Sequence, residues 1–221
     1  MRFYVLDTFP KGNAETFMTE AKGSQQGDAP KCESCGDYVG SLQWLPPLRA
    51  DLELCGKEFG DFAFAPGSDS FLVSSRFKEA YQGAYLAGLT GFDPVEIVKV
   101  TSRRKKLPAR PPYFRVVPTR SRTYIDVVAS EFEWLEPPAC RECLSAPVVR
   151  WKRLLIDEGT WSGDDIFFAR GLTGTVFATQ RFKDLCDTHK ITNAIFTPAE
   201  SYAYDFYPGL TDPSELDAFR K

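Results

Sequence analysis

The sequence contains two cysteine pairs of identical spacing, Cys32-Glu33-Ser34-Cys35-Gly36 and Cys140-Arg141-Glu142-Cys143. We call them the first knuckle (residues 32–36) and the second knuckle (residues 140–143). A Cys-x-x-Cys turn can direct two thiolates at one ion, and tetrahedral Zn²⁺ takes four ligands. The pattern therefore predicts one structural Zn²⁺ ion bound by Cys32, Cys35, Cys140 and Cys143. Such a site would join two distant parts of the chain.

The segments that follow the two knuckles carry the same motifs in the same order. Each contains a tryptophan, an apolar strand-like segment, a Ser/Thr-x-Arg-Phe-Lys motif and a Phe-x-Pro motif. The first series is Trp44, Phe62–Phe64, Ser74–Lys78 and Phe92–Pro94, and the second is Trp151, Ile166–Phe168, Thr179–Lys183 and Phe196–Pro198. A period of about 105 residues exceeds the ~20–50 residues of solenoid repeats. We therefore predict two diverged copies of one unit rather than an array.

Each copy is predicted to form a small α+β unit. Phe62 and Phe64 alternate as in a strand with one buried face, and the matching residues of the second series do the same. Ser74 or Ser75, and Thr179, are suitable N-cap residues for the helices that follow. Further strands are predicted over residues 95–100 and 201–204. We expect antiparallel strands to predominate, with about one main helix per copy and a zinc site that joins the copies.

A basic segment lies between the two series. Residues 101–122 include eight basic residues and no acidic residue. Its four prolines favour an extended connection over a helix. We therefore divide the chain into a first copy (residues 1–100), a basic Pro-rich connection (101–122) and a second copy (123–221), which form one compact globule. The connection is either a solvated linker or a surface for an anion or a partner, whose candidate residues are Arg103, Arg104, Lys105 and Lys106.

The composition is typical of a folded protein from a reducing compartment. The 221 residues are 43% hydrophobic and include 18 Phe, which is enough for a sizeable core. The first residues contain no long apolar region, and no segment approaches the ~18 apolar residues of a membrane span. We expect a cytoplasmic protein without membrane contact. In such a compartment, Cys-x-x-Cys pairs favour metal binding over disulfides.

The residues do not form a recognisable catalytic constellation. His189 is the only histidine, and it follows Cys186 on a predicted helix, whereas a Cys/His nucleophile pair normally comes from separate elements. We expect Cys186 and Cys55 to be buried apolar residues. The sequence contains neither a P-loop nor a Gly-x-Gly-x-x-Gly motif. We predict that the protein is not an enzyme.

The residues around the knuckles indicate their geometry. Gly36 can take positive φ after the first knuckle, whereas Leu144 stands at the matching position, where a left-handed conformation costs on the order of 1–2 kcal/mol. We therefore expect a looser or differently shaped second knuckle. A redox-active Cys-x-x-Cys begins a helix, which lowers the pKa of its first thiol. Neither knuckle has that setting, because turn residues and prolines flank both.

The doubled cysteine motif and the repeated Ser/Thr-x-Arg-Phe-Lys and Phe-x-Pro motifs resemble the double-CXXCG motif family of myxobacterial paralogues. The resemblance covers nearly the whole chain, although Leu144 replaces the second glycine. Members of that family are associated with Sit toxin-exchange systems as immunity proteins. The resemblance implies that Cys32, Cys35, Cys140 and Cys143 are metal ligands, and that the partner is a cognate protein toxin.

We therefore expect a zinc-stabilised protein that neutralises a toxin by direct binding. One alternative is a nucleic-acid-binding zinc-ribbon regulator, which an overall pI near 5.4 disfavours. A second alternative is a thiol-disulfide oxidoreductase, which would have exposed, rapidly alkylated cysteines and no metal.

Overall fold

The computed structural model describes residues 1–9, 12–63 and 69–208, so Phe64 of the first predicted strand lies outside the described residues. The described chain is a strand-rich mixed α/β fold with two α-helices. The helices are α1 (Ser75–Gly83) and α2 (Gln180–Thr188). The strands are β1 (Phe3–Asp7), β2 (Thr16–Glu20), β3 (Gln25–Gln26), β4 (Trp44–Leu45), β5 (Leu48–Leu54), β6 (Phe62–Ala63), β7 (Phe71–Ser74), β8 (Leu89–Ser102), β9 (Tyr113–Tyr124), β10 (Glu133–Trp134), β11 (Val148–Trp151), β12 (Ile166–Arg170), β13 (Val176–Thr179), β14 (Ile195–Pro198) and β15 (Tyr204–Asp205).

Ten of the strands form one large sheet. Eight follow the order β14-β1-β13-β12-β9-β8-β5-β2, while β7 pairs with the first residues of β9 and β6 pairs with β7. The pairs β5·β8 and β9·β12 are parallel, and the other pairs in this sheet are antiparallel. Two smaller sheets, β10-β11-β15 and β3-β4, complete the described fold.

Both helices begin where the sequence predicts N-caps. The Ser74 hydroxyl accepts a hydrogen bond from the Phe77 N–H, and the Thr179 hydroxyl accepts one from the Phe182 N–H. Such caps each contribute about 1 kcal/mol. Phe77 and Phe182 are fully buried, and their ring centroids lie 6.0 Å apart. The two helices therefore share one hydrophobic core.

A carboxylate positions the start of each helix. Asp61 accepts a hydrogen bond from the Ser74 hydroxyl and forms an ion pair with Arg76. Asp165 accepts one from the Thr179 hydroxyl (2.9 Å) and pairs with Arg181 (3.3 Å). Both carboxylates are buried, so these partners offset the cost of removing them from water. The Arg of the repeated motif thus has a structural partner in each case.

Matching hydrogen bonds join the N-terminal half (residues 1–112) to the C-terminal half (residues 113–208). The Asp61 N–H donates to Thr192 Oγ1 (2.8 Å), in the loop after α2. The Asp165 N–H donates to Ala87 O (2.9 Å), in the loop after α1. The next residue along each strand donates to the backbone of the same loop at 3.3 Å. Each half therefore holds the loop that follows the helix of the other.

The first strand of each half also pairs with the two strands that flank the helix of the other half. β1 lies between β13 and β14, with Phe3 opposite Thr179. β9 contacts β7 and β8 in the corresponding manner, with Tyr113 opposite Ser74. The two halves are therefore interleaved rather than placed side by side.

The connection predicted over residues 101–122 is shorter in the structure, because strands include both of its ends. β8 ends at Ser102 and β9 begins at Tyr113, so only residues 103–112 connect strands. Residues 113–122 belong to β9, in which Tyr113, Val116 and Val117 are buried and two of the cations are neutralised by nearby carboxylates. Arg115 pairs with Asp93 (2.6 Å), and Arg120 pairs with Asp69. The sequence places both arginines in the basic connection and gives no sign of these ion pairs.

Two smaller predictions are also corrected. Cys55 is exposed rather than buried, because it lies in the loop directly after β5. The strand predicted over residues 201–204 is mostly absent, since residues 199–201 form a helical turn and β15 begins at Tyr204. Cys186 is buried as predicted. In the described part of the chain, no helix has the length and apolarity needed to cross a membrane.

Candidate metal centre

The structure brings the four cysteines of the two knuckles together. All four Sγ atoms lie within 4.8 Å of one another. Cys32 Sγ lies 4.0 Å from Cys140 Sγ, and Cys35 Sγ lies 3.7 Å from Cys143 Sγ. A tetrahedron with Zn–S bonds of ~2.3 Å has edges of about 3.8 Å, whereas a disulfide requires ~2.05 Å. The arrangement therefore fits one tetrahedral metal ion and is not that of a disulfide.

The two knuckles follow the same backbone path. In the first, the Gly36 N–H donates to Cys32 O (2.9 Å), and Gly36 has φ +81°. In the second, the Leu144 N–H donates to Cys140 O (3.1 Å), and Leu144 has φ +52°. The expectation of a looser or differently shaped second knuckle is therefore wrong. Leu144 adopts the left-handed conformation that Gly36 adopts without strain.

Packing of its side chain offsets the strain at Leu144. The side chain reaches over Gly171, whose position for a Cβ would lie 3.6 Å from Leu144 Cδ1. Leu144 also lines an apolar groove with Leu172 and Phe206. The Gly171 N–H donates to Cys143 O (3.2 Å), which fixes the second knuckle to the turn after β12. The local cost of positive φ is thus balanced by contacts outside the knuckle.

The thiols differ in how readily they lose a proton. The backbone N–H groups of Cys35 and Ser34 lower the pKa of Cys32 to about 7. Burial raises the pKa of Cys143. The Asp37 N–H lowers the pKa of Cys35, but burial and the neighbouring thiols raise it above its usual value. Because adjacent thiolates repel one another, the ionised cluster favours a bound cation.

Arg120 of β9 fastens the loop after the first knuckle to the large sheet. Its Nη1 donates to Val39 O, and its Nη2 pairs with Asp69. Asp69 also accepts a hydrogen bond from the Ser41 N–H (2.7 Å). A Cβ at Gly40 would overlap the Arg120 guanidinium, so glycine permits this close approach. The guanidinium lies 4.8 Å from the ring centroid of Phe168, a favourable cation–π contact.

Arg170 of the neighbouring strand β12 fastens the second knuckle in a similar way. Its Nη1 donates to the carboxylate of Glu142 (2.5 Å), to Glu142 O (3.2 Å) and to the Tyr124 hydroxyl (2.7 Å). The guanidinium also lies 5.2 Å from the ring centroid of Tyr124. One arginine of each parallel strand therefore holds one knuckle over the sheet. Residues of this kind orient metal ligands in many proteins.

The sequence predicted the four thiols but not the residues that position them. The sequence places Arg120 in the basic connection, and no sequence pattern indicates a role for Arg170. The pairing of Arg120 with Asp69 joins residues far apart in sequence, so no local pattern marks it. The candidate partner residues Arg103, Arg104, Lys105 and Lys106 lie elsewhere, exposed between β8 and β9.

Comparison with models of known protein families gives no match, and comparison with curated proteins gives none either.

Proposed function

We propose that this chain is a zinc-stabilised binding protein of the cytoplasm that neutralises a cognate protein toxin by direct contact, without catalysis. The observation that carries the proposal is the convergence of four thiols from the two knuckles into one cluster. The toxin as partner comes from the resemblance of the doubled cysteine motifs to immunity proteins. A metal that fixes distant segments gives a small protein a rigid surface for a partner.

Zinc is the metal that the ligand set favours. Four thiolates in a tetrahedral arrangement are typical of structural Zn²⁺ sites. When bound, the ion would crosslink the knuckles and so stabilise the fold. Cys32 and Cys35 would supply two ligands from one half, and Cys140 and Cys143 two from the other. The protein's own contribution is to hold the knuckles in place through Arg120 and Arg170.

We also propose that the two halves descend from one duplicated unit of about 110 residues. Three matched features support this origin: the knuckles that face each other, the capped helices with a carboxylate before each, and the hydrogen bonds that each half makes to the loop after the other's helix. Contacts that are repeated in both directions are typical of a two-fold interface between like units. The first strands are exchanged between the units.

The exposed cations between β8 and β9 are the contact surface that we propose for the toxin. Arg103, Arg104, Lys105 and Lys106 are exposed and form no ion pair within the described residues. A run of free cations of this kind accelerates association with an acidic partner. Two other cations of the basic segment, Arg115 and Arg120, are engaged by carboxylates. This reduces the positive charge available to a nucleic acid and favours a protein partner.

The proposal is tested by purifying the tagged full-length chain from its own cells and identifying what accompanies it. We expect one protein toxin in stoichiometric amount, and protection that saturates near one chain per toxin. Nucleic acid in place of protein would support the regulator instead. Inactivation of excess toxin by a trace of this chain would contradict a binding mechanism and indicate an enzyme.

A further inference from the structure

A cavity of about 550 Å³ lies between the two knuckles and the large sheet. Its floor includes side chains of the parallel strands β9 and β12, and its walls include residues of both knuckles. Cavities of roughly 300–1,000 Å³ are typical of sites for small ligands. The cavity is therefore large enough for a small molecule beside the metal centre.

Cationic side chains from three different elements line this cavity. They are Lys31 before the first knuckle, Arg120 and Arg122 of β9, and Arg170 of β12. Two of them are already paired, Arg120 with Asp69 and Arg170 with Glu142. Neither Lys31 nor Arg122 has a carboxylate partner within the described residues. Among the described residues that line the cavity, Glu33 is the one carboxylate without a paired cation.

Several hydrogen-bond donors at the cavity have no partner among the described residues, and they are of the kind that binds an oxyanion. The Arg122 side chain is exposed and makes no hydrogen bond within the described part of the chain, so its whole guanidinium can donate. Arg170 uses only Nη1 in its contacts with Glu142 and Tyr124, which leaves Nη2 free. Ser34 adds an exposed hydroxyl at the opposite wall. A guanidinium binds carboxylate and phosphate through paired N–H groups.

We propose that this cavity is a binding site for a small oxyanion ligand, a phosphate or a carboxylate, and that Arg122 is its principal cation. Lys31 is engaged elsewhere, because its Nζ lies 4.9 Å from the ring centroid of Tyr38, which does not line the cavity. Arg122 is therefore the cation that we assign to the ligand. The assignment does not depend on the toxin-binding role.

The test uses the full zinc-loaded chain in calorimetric titrations with inorganic phosphate and, separately, with succinate. Ionic strength is held constant with sodium chloride so that general screening does not vary. We expect saturable binding of one equivalent of at least one probe. Arg122→Gln should weaken it about tenfold or more, because hydrogen bonds to a charged group are lost. Arg103→Gln, which removes an exposed cation outside the cavity, should leave the affinity unchanged.

The two probes distinguish the sources of the oxyanion. Tighter binding of phosphate identifies a phosphorylated ligand, tighter binding of succinate identifies a carboxylate, and equal binding supports a general oxyanion site. Zinc content and circular dichroism of Arg122→Gln should match those of the unmodified chain, since Arg122 is exposed. The absence of saturable binding with both probes up to tens of millimolar, or equal affinity in Arg122→Gln, overturns the proposal.

Discussion

The two knuckles reach the same geometry by different means. The first relies on backbone freedom, because Gly36 takes positive φ at no cost and nothing lies within 4 Å of the position of its missing Cβ. The second accepts a strained φ at Leu144, whose half-buried side chain reaches over Gly171 outside the knuckle. Cys35 is exposed in the first knuckle, and Cys143 is buried in the second. A shared ligand geometry thus does not require a shared local sequence.

The largest expected effect comes from removing the buried ligand of the second knuckle. Cys143→Ser removes one ligand from a site in which metal binding and folding are coupled. We expect zinc to fall from one ion per chain to nearly none. The unfolding midpoint should fall by about 10 °C or more, since several kcal/mol are lost at about 2–4 °C per kcal/mol. Metal analysis and thermal unfolding measure both effects.

Two matched variants sharpen this comparison. Cys35→Ser should be less destabilising than Cys143→Ser, because its hydroxyl remains exposed to water. Cys55→Ser alters an exposed thiol outside the cluster and should change stability by less than about 0.5 kcal/mol. A Cys143→Ser protein with unchanged zinc content and midpoint would exclude the four-thiolate site.

The next largest effect is expected where the arginines hold the knuckles. Arg120→Gln leaves Asp69 buried without its charged partner, which costs about 3–5 kcal/mol. Arg170→Gln leaves the exposed Glu142 and should cost less than about 1 kcal/mol. Both changes should weaken zinc binding, by about 10–100-fold if these arginines behave as other ligand-orienting residues do. Zinc should therefore transfer faster to a chelator. Arg2→Gln, which removes a surface ion pair with Glu200, is the control. Zinc transfer at the control rate in both variants would show that the arginines do not position the centre.

Substitutions at the two left-handed residues compare the knuckles directly. Gly36→Ala should cost about 1–2 kcal/mol, all of it from φ strain, because the site has free space. Leu144→Ala should cost about 1–2 kcal/mol from lost packing. Leu144→Gly loses the same packing but relieves the strain, so we expect it to be about 1 kcal/mol more stable than Leu144→Ala. Chemical unfolding of zinc-loaded protein measures the differences. The opposite order for the two Leu144 variants would contradict strain at this residue.

The rate of alkylation should distinguish the four knuckle thiols from Cys55 and Cys186. Burial raises the pKa of Cys186 to about 12, so this thiol stays protonated and inaccessible at pH 8. Cys55 is exposed, although partial burial and the nearby Glu53 raise its pKa above the usual value. We expect iodoacetamide to modify Cys55 first in zinc-loaded protein, and the four knuckle cysteines only after a chelator is added. Rapid modification of Cys32 without a chelator would support the oxidoreductase instead.

The smallest effect on the isolated protein is expected from the exposed basic run. Reversal of all four charges at Arg103, Arg104, Lys105 and Lys106 should leave zinc content and stability nearly unchanged, because these residues are exposed. If the run steers an acidic toxin, association should slow at low salt, and the difference should shrink as salt rises. Stopped-flow association kinetics provide the measurement. An unchanged rate at low salt would make the segment a plain linker.

Short-range sequence patterns predicted the metal ligands and the helix caps. The features that depend on contacts between residues far apart in sequence were not predicted. Four cysteines at ligand spacing, and the caps at Ser74 and Thr179, are short-range patterns with a direct physical meaning. The strand β9 was missed because Arg115 and Arg120 are neutralised by Asp93 and Asp69, which only the folded chain brings near them. The conformation of Leu144 was missed because contacts outside the knuckle offset its local cost.

The exchange of first strands has a consequence for how the protein is made. A nascent chain that ends at residue 112 has no β9, so β7 and β8 lack the strand that pairs with both. β1, although it is synthesised first, finds its neighbours only when β13 and β14 have left the ribosome. Contacts of such high sequence separation slow folding, and unpaired strand edges invite pairing with other chains. Two nascent chains on the same messenger RNA can therefore exchange whole halves. We expect expression at a high level to yield intertwined dimers alongside the monomer.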